Sequence, residues 1–206
     1  IEDAISAVSA SDILDGCYDS ESFPNLDFCN AFTRRPDGGL NFLESGQINF
    51  ARLEASGVDV AVNYSFDVGV NTFGARLVGS QQEKLDQFFN PTDPADVNPA
   101  VGEIQVPEYS GNLTLSWDRG PLSVALQTTY QDEQSVAGIE DIDLYDEPFF
   151  DETYIFDVNA SYEYDESLRF FGGVNNIADE EPFSTQTAWP VGPRGRYFFL
   201  GLTYRQ

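Results

Sequence analysis

Residues 194–206 read RGRYFFLGLTYRQ, and their alternation decides how the rest of the chain is read. Successive side chains of an extended chain point to opposite sides. Phe198, Leu200, Leu202 and Tyr204 therefore share one face, and Tyr197, Phe199, Gly201, Thr203 and Arg205 share the other. The first face is wholly apolar, and the period of two predicts a strand with one oily side.

Earlier stretches repeat the pattern. Val58, Val60, Val62, Tyr64 and Phe66 alternate with Asp59, Asn63, Ser65 and Asp67. Phe73, Ala75, Leu77 and Gly79 alternate with Thr72, Gly74 and Arg76, and Tyr109, Gly111, Leu113, Leu115 and Trp117 with Ser110, Asn112, Thr114, Ser116 and Asp118. Leu122, Val124, Leu126 and Tyr130 interleave with Ser123, Gln127 and Thr129. Tyr154, Phe156, Val158, Ala160, Tyr162 and Tyr164 interleave with Asp157, Asn159, Ser161 and Glu163. No charge falls on these apolar faces. Each run is about ten residues, the length that crosses a bilayer as a tilted strand, and aromatics gather toward the run ends where an interfacial girdle stands. A soluble sandwich also alternates, but its strands are usually shorter.

The connections point the same way. Tight turns are expected at 67–69, 118–121 and 165–167, and long loops at 7–46, 86–106, 135–152 and 178–193. The segment FFNPTDPADVNPAVGEIQVP at 88–107 carries Pro91, Pro94, Pro99 and Pro107, which forbid a central strand. Strands are expected over about 47–66, up to Gln82, 108–118, 122–134, 153–164, 168–174 and 195–205. Short turns alternating with long loops are the habit of outer-membrane barrels, whose short turns lie in the periplasm and whose long loops face outward. The expected fold is all-β: an antiparallel transmembrane β-barrel segment in the outer membrane of a Gram-negative bacterium.

Composition narrows the function. Ten Lys and Arg against 35 Asp and Glu give a formal net charge of −25, which excludes a nucleic-acid partner needing a basic surface. No apolar run approaches a transmembrane helix in length, a lack that does not bear on a barrel. The chain contains no Met, so it is expected to be part of a longer protein. Residues 1–46 differ from the rest. Ala4–Leu14 (AISAVSASDIL) carries a plausible helical turn, Ile1–Ile5 reads as the end of a strand, and Cys17 and Cys29 bracket an acidic, turn-rich segment. Such a pair fits a disulfide in an oxidising compartment, with two free thiols as the plain alternative. With no His in the chain and no zinc-type spacing, a metal site is disfavoured.

Several segments carry a resemblance: GVDVAVNYSF at 57–66, FDVNASYEY at 156–164, FFGGVNNIADEEPF at 170–183 and WPVGPRGRYFFLGLTYRQ at 189–206. Together they are similar to the C-terminal barrel region of TonB-dependent outer-membrane receptors. ILDGCYDSESFPNLDFCNAFTR at 13–34 resembles a disulfide-bearing outer loop of such receptors. The resemblance implies about seven to eight strands of a 22-stranded barrel, with 1–46 as a long extracellular loop and 47–206 as C-terminal barrel strands. It implies a plug domain outside this chain, coupling to TonB, and import of a scarce nutrient such as a ferric siderophore, an oligosaccharide or cobalamin. The expected surroundings are outer-membrane lipid and lipopolysaccharide. Phe198, Leu200, Leu202 and Tyr204 match the upstream spacing of the signal read by the barrel-assembly machinery, although Gln206 stands where the family ends in an aromatic residue. An independent small barrel or a secreted sandwich acting in adhesion is the rival reading.

Candidate sites are few. IEDIDLYDEPFFDE at 139–152 has no Lys or Arg; Asp141, Asp143, Asp146 and Glu147 are candidate oxygen ligands for a cation such as calcium, though their spacing matches no known calcium loop and a solvated acidic loop is the plainer reading. Phe149, Phe150, Phe183 and Trp189 are candidates to stack on a nutrient ligand, against simple girdle or loop packing. Asp59, Asp67, Arg76, Asp157 and Glu163 are expected to line a wet lumen. Nothing in the sequence specifies an enzyme or a cofactor.

Overall fold

A computed structural model describes residues 4–7, 10–18, 23–24, 27–88, 97–184 and 189–205, with the backbone alone at 4–7, 11–12, 27, 47–51 and 140–141. The chain divides into two units, 1–56 with 84–100 and 57–83 with 101–206.

The first unit holds β1 (Ala4–Ala7), α1 (Ala10–Tyr18), α2 (Asp27–Asn30), β2 (Phe32–Arg34) and β3 (Leu40–Leu43), with the start of β4 (Gln47–Val68) and the end of β5 (Asn71–Phe88). β1 pairs antiparallel with β4, and β2 with β3. The helical turn expected within Ala4–Leu14 is met from Ala10 on by α1, while Ala4–Ala7 finds hydrogen-bond partners on β4. The expected strand end at Ile1–Ile5 is met at Ala4 and Ile5, and residues 1–3 lie outside the described residues. Cys17 and Cys29 form a disulfide. Around it Ile13, Cys17 and Phe28 are buried, with Cys29, Ala31, Phe32 and Leu43 packed against them. So small a core leaves the cross-link a large share of this unit's stability.

β5 runs to Phe88, past its expected end at Gln82. The extension is held by charge, because Lys84 Nζ lies 2.5 Å from Glu54 and 3.3 Å from Asp86, and by the Arg52 guanidinium lying 3.8 Å over the Phe88 ring. A short β6 (Asn98–Pro99) pairs with Asp86 and Gln87. Pro99 sits on this marginal two-residue pairing, as its missing N–H requires, and Pro91 and Pro94 lie outside the described residues.

In the second unit the remainders of β4 and β5 are followed by β7 (Tyr109–Arg119), β8 (Leu122–Gln131), β9 (Gln134–Ser135), β10 (Phe149–Phe150), β11 (Thr153–Glu163), β12 (Leu168–Asn175) and β13 (Tyr197–Tyr204). The strand order is β4-β5-β7-β8-β11-β12-β13, each strand beside its neighbour in sequence apart from the small β9–β10 hairpin. The pairings from β5 to β13 are antiparallel and free of register shifts. Ala75, Leu115, Leu126, Val158, Val174 and Phe198 consequently form one cross-strand row. Phe73, Trp117, Val124, Ala160, Gly172 and Leu200 form the next row on the same face. On the opposite face Arg76, Thr114, Gln127 and Asp157 stand in line.

The apolar face is bare. Leu200 is 87 % exposed and Phe198 74 %, and Leu202 and Tyr204 join them. Where a water-soluble sheet buries its oily side, this one presents it outward, as a lipid-facing wall does. β12 is the sole partner of β13 among the described residues. The sheet of this unit therefore stays open, at odds with the closed small barrel of the rival reading. The final strand is also shorter than 195–205, since Gly195 takes a left-handed φ of +61° and ends the loop ahead of it.

The polar face also carries aromatic rings, among them Phe171 and Phe199. Phe171 lies over Gly201 and Phe199 over Gly173, each ring using space a β-carbon would fill. At Gly173 that carbon would also collide with the Val158 carbonyl oxygen. Gly173→Ala is expected to cost about 1–3 kcal/mol, read as an earlier loss of heat-resistant mobility on gels; an unshifted midpoint would contradict the packing described. Replacing Cys17 and Cys29 together by Ser should cost the first unit about 2–5 kcal/mol. Limited proteolysis would then cut first within 13–34, and unchanged cleavage would refute the disulfide's role.

Candidate functional site

Three connections meet at one end of the second unit's sheet: 101–108 before β7, 132–152 between β8 and β11, and 176–196 between β12 and β13. The short turns lie at the other end. The middle connection folds back on itself because β9 pairs with β10, Gln134 opposite Phe150 and Ser135 opposite Phe149, with a 3₁₀ turn at Ile139–Leu144 between them. Gln134, Ser135 and Thr153 are buried there although all three are polar.

The burial of Gln134 and Ser135 is matched by hydrogen bonds, as burial of polar groups demands. Gln134 Oε1 accepts from the Gln105 backbone N–H at 2.7 Å and from the Trp189 indole Nε1–H at 2.9 Å. Its Nε2 donates to Gln131 Oε1 at 3.3 Å and to the Asp132 carbonyl at 3.4 Å. The Ser135 N–H donates to the Gly102 carbonyl at 2.6 Å, and the Ser135 hydroxyl accepts from the Ala137 N–H. One carboxamide thereby touches all three connections.

The structure brings three of the four candidate aromatics together. Phe150 and Phe183 stack at 4.4 Å with their planes 7° apart, and the Phe183 N–H donates to the Trp189 carbonyl at 2.7 Å. Phe149, next to Phe150 on the same strand, faces the opposite way and is 40 % exposed. Because Phe150 and Phe183 cover one another, a ligand would meet their outer faces and not a slot between them. Asp143, Asp146 and Glu147 are exposed, and the Asp141 side chain lies outside the described residues. Among the described residues no group of three or more acidic, Cys or His side chains converges as metal ligands would.

The loop leaving β12 has its own lock. Asn176 adopts a left-handed φ of 52°, which asparagine tolerates better than most residues. Its backbone N–H donates to Asp157 Oδ1 at 2.7 Å, while its side chain donates to the Glu180 carbonyl and accepts from the Glu180 N–H, both at 2.8 Å. Asp179 reaches across to accept from the Arg196 N–H at 2.7 Å and to pair with its guanidinium at 3.6 Å. A β-carbon at Gly195 would stand 2.7 Å from Asp179 Oδ1. NN-I-x-DEEP and GPRGR are thus two halves of one turn.

The polar-face acids behave as wall residues. Asp59 accepts from Ser80, Asp67 from Thr72 at 2.6 Å, and Asp157 serves Asn176. Glu54 and Lys84 lie in the first unit, beyond the apolar run of β4 that begins at Val58. The hydrogen bond from Lys84 holds the Glu54 carboxyl below its usual range, and Glu54, then Asp86, raise Lys84. The pair's contribution is complete above the ordinary Glu range and fades as pH falls through the lowered value. Both groups are exposed, so screening keeps it small.

A family model described as "TonB dependent receptor-like, beta-barrel" matches residues 1–177. Among solved structures the chain is similar to the ferric-catecholate import receptor Fiu from E. coli K12 in its closed form. Identity is 17 % and the TM-score 0.48, over 84 % of this chain and 23 % of that one. The chain thus spans under a quarter of that receptor's length. A search of curated proteins found none that matches.

Gln134 was not singled out by the sequence, since an isolated Gln in a polar loop has no period or motif to mark it; Asn176 falls within the FFGGVNNIADEEPF segment, but its role as a lock was not read there. Asn176→Ala should remove the 176–180 lock and strain the left-handed residue, costing about 1–3 kcal/mol. Faster proteolysis within 177–184 is the expected readout, whereas Asn176→Asp, which keeps an acceptor for the Glu180 N–H, should lose less; equal loss in the two variants would exclude the amide's donor–acceptor role.

Proposed function

The chain belongs to the TonB-dependent receptor family, matching its β-barrel part over residues 1–177, and from that membership we propose that it forms C-terminal barrel wall in a receptor importing a scarce nutrient across a Gram-negative outer membrane. The observation that carries the reading is the pair of unbroken apolar rows on the bare face of β5 to β13, backed by a hydrogen-bonded polar face. In hydrocarbon a strand must have its backbone groups paired by neighbours and its side chains apolar toward lipid. β7, β8 and β11, of 11, 10 and 11 residues, match the length such a crossing needs.

The turn end faces the periplasm in this reading, and the loop end, with Phe149, Phe150, Phe183 and Trp189, faces outward to capture ligand. Asp143, Asp146 and Glu147, with Asp141, give the mouth an acidic rim. A plug carried elsewhere in the whole protein gates passage and transmits the pull of TonB. Phe198, Leu200, Leu202 and Tyr204 serve as the strand read by the barrel-assembly machinery, their exposure fitting a side chain set handed directly to lipid. The ligand class is a ferric siderophore or an oligosaccharide, with cobalamin as a further small nutrient of suitable size.

Uptake of labelled ferric siderophores, oligosaccharides and cobalamin by cells bearing the full-length protein tests this reading. Accumulation of one class that vanishes when TonB is deleted or the proton gradient collapsed is the expected result. Accumulation indifferent to both treatments, or recovery of the protein outside the outer-membrane fraction, would overturn it.

A further inference from the structure

We propose that Gln134 is a positioning residue which makes the three loop-end connections a single cooperative body, so that the aromatic surface around Phe183 is preformed and does not close over ligand as a separate flap. The proposal rests on the reading that these loops capture ligand, and adds how they do so. Gln134 has no exposed surface. A carboxamide can donate two hydrogen bonds from nitrogen and accept two at oxygen, and here all four are made. Its orientation is fixed chemically, because the Gln105 N–H and the Trp189 indole N–H can only donate and must therefore face the oxygen.

The four partners come from three stretches of chain, Gln131 and Asp132 being adjacent. Gln105 lies in the first connection, Asp132 in the second and Trp189 in the third. The tie continues outward from two of them. The Ser135 N–H holds the Gly102 carbonyl, so the first connection is pinned twice. The Trp189 carbonyl holds the Phe183 N–H, and Phe183 stacks on Phe150, which pairs with Gln134 itself across β9 and β10. The circuit from Gln134 to Trp189, Phe183, Phe150 and back is closed. Opening the first connection leaves the buried Ser135 N–H without its acceptor and takes one donor from Gln134 Oε1, and opening the third takes the other donor and breaks the Phe150–Phe183 stack; a bond lost in a buried site is costly. Loops coupled in this way open together or not at all. A preformed platform spares the ligand the ordering cost that separate loops would impose.

Hydrogen exchange on the full-length receptor without ligand, read by mass spectrometry, tests the coupling independently of any transport. Gln134→Leu is expected to speed exchange by about tenfold or more in all three of 101–108, 132–136 and 181–184, while β7–β8 and β11–β12 stay protected. Acceleration confined to 132–136 would overturn the proposal. If Gln134→Leu does not assemble, Trp189→Phe carries the same test: faster exchange at 101–108, which Trp189 does not bond, supports the coupling, and change confined to 181–192 refutes it. For any ligand found by the uptake assay, Kd rises as the reciprocal of the fraction of receptor whose loops stay closed, so binding weakens measurably only in a variant whose exchange shows those loops mostly open. Loops mostly open with an unchanged Kd would overturn the positioning role, whereas failure of every ligand to be imported would sink the uptake reading and leave the exchange result standing.

Discussion

The constraint on which this architecture depends is the register of the main-chain ladder. Antiparallel pairing satisfies every interior N–H and carbonyl of a strand only from its neighbours, and side chains alternate strictly, so a slip of one residue would turn an entire apolar set to the polar side. From β5 through β13 there is no slip. The rows that pass through Ala75 and Phe73 are the product of that regularity. A wall whose apolar side meets lipid has no second layer to correct a misplaced strand, so it must be right at every pairing.

Regularity also decides where irregular structure is permitted. Short turns, two residues at 69–70 and 120–121 and four at 164–167, keep the ladder in step at one end, and the other end collects what does not fit the pleat: the buried Gln134, the left-handed Asn176 and the glycine at 195. Their energetics differ in kind from those of the strands. Strand stability is spread over many equivalent pairs, whereas each loop depends on a few polar groups with specific partners, which is the condition under which one substitution can release a whole segment. The small disulfide-linked core around Ile13 and Phe28 follows the loop logic, with a covalent tie in place of a buried amide.

Strands were legible in the sequence because alternation repeats over many residues, and even the outlying aromatics Phe171 and Phe199 did not hide it. Boundaries were less so. β5 runs on to Phe88 through Lys84 and Asp86, whose side chains gave no apolar signal, but Lys84 pairs across to Glu54 on β4 and with Asp86 on its own strand, and Ala4–Ala7 joins β4 despite a composition that suits a helix. Tertiary pairing overrode local preference in both places. In the loops, the aromatics at 149, 150, 183 and 189 were legible as a set, because large rings in polar loops stand out. Gln134, which brings the last two of them into contact with the β9–β10 hairpin, was not, because its importance lies in distant donors that no local spacing reveals.

Two of the segments that carry the resemblance, NN-I-x-DEEP and GPRGR, turn out to be scaffold. In NN-I-x-DEEP the second Asn closes a turn on the Glu180 backbone, the Asp receives Arg196, and the glycine of GPRGR leaves room for that Asp. These contacts set the path by which the chain leaves β12 and enters β13. Residues that hold backbone to backbone cannot also report on a ligand they never face. Under the proposed function, ligand choice must therefore be made by side chains the lock merely supports, foremost the exposed Phe149 and the outer faces of Phe150 and Phe183. Of these, Phe149 can change without disturbing the loops, whereas Phe150 and Phe183 are tied to one another by their stack.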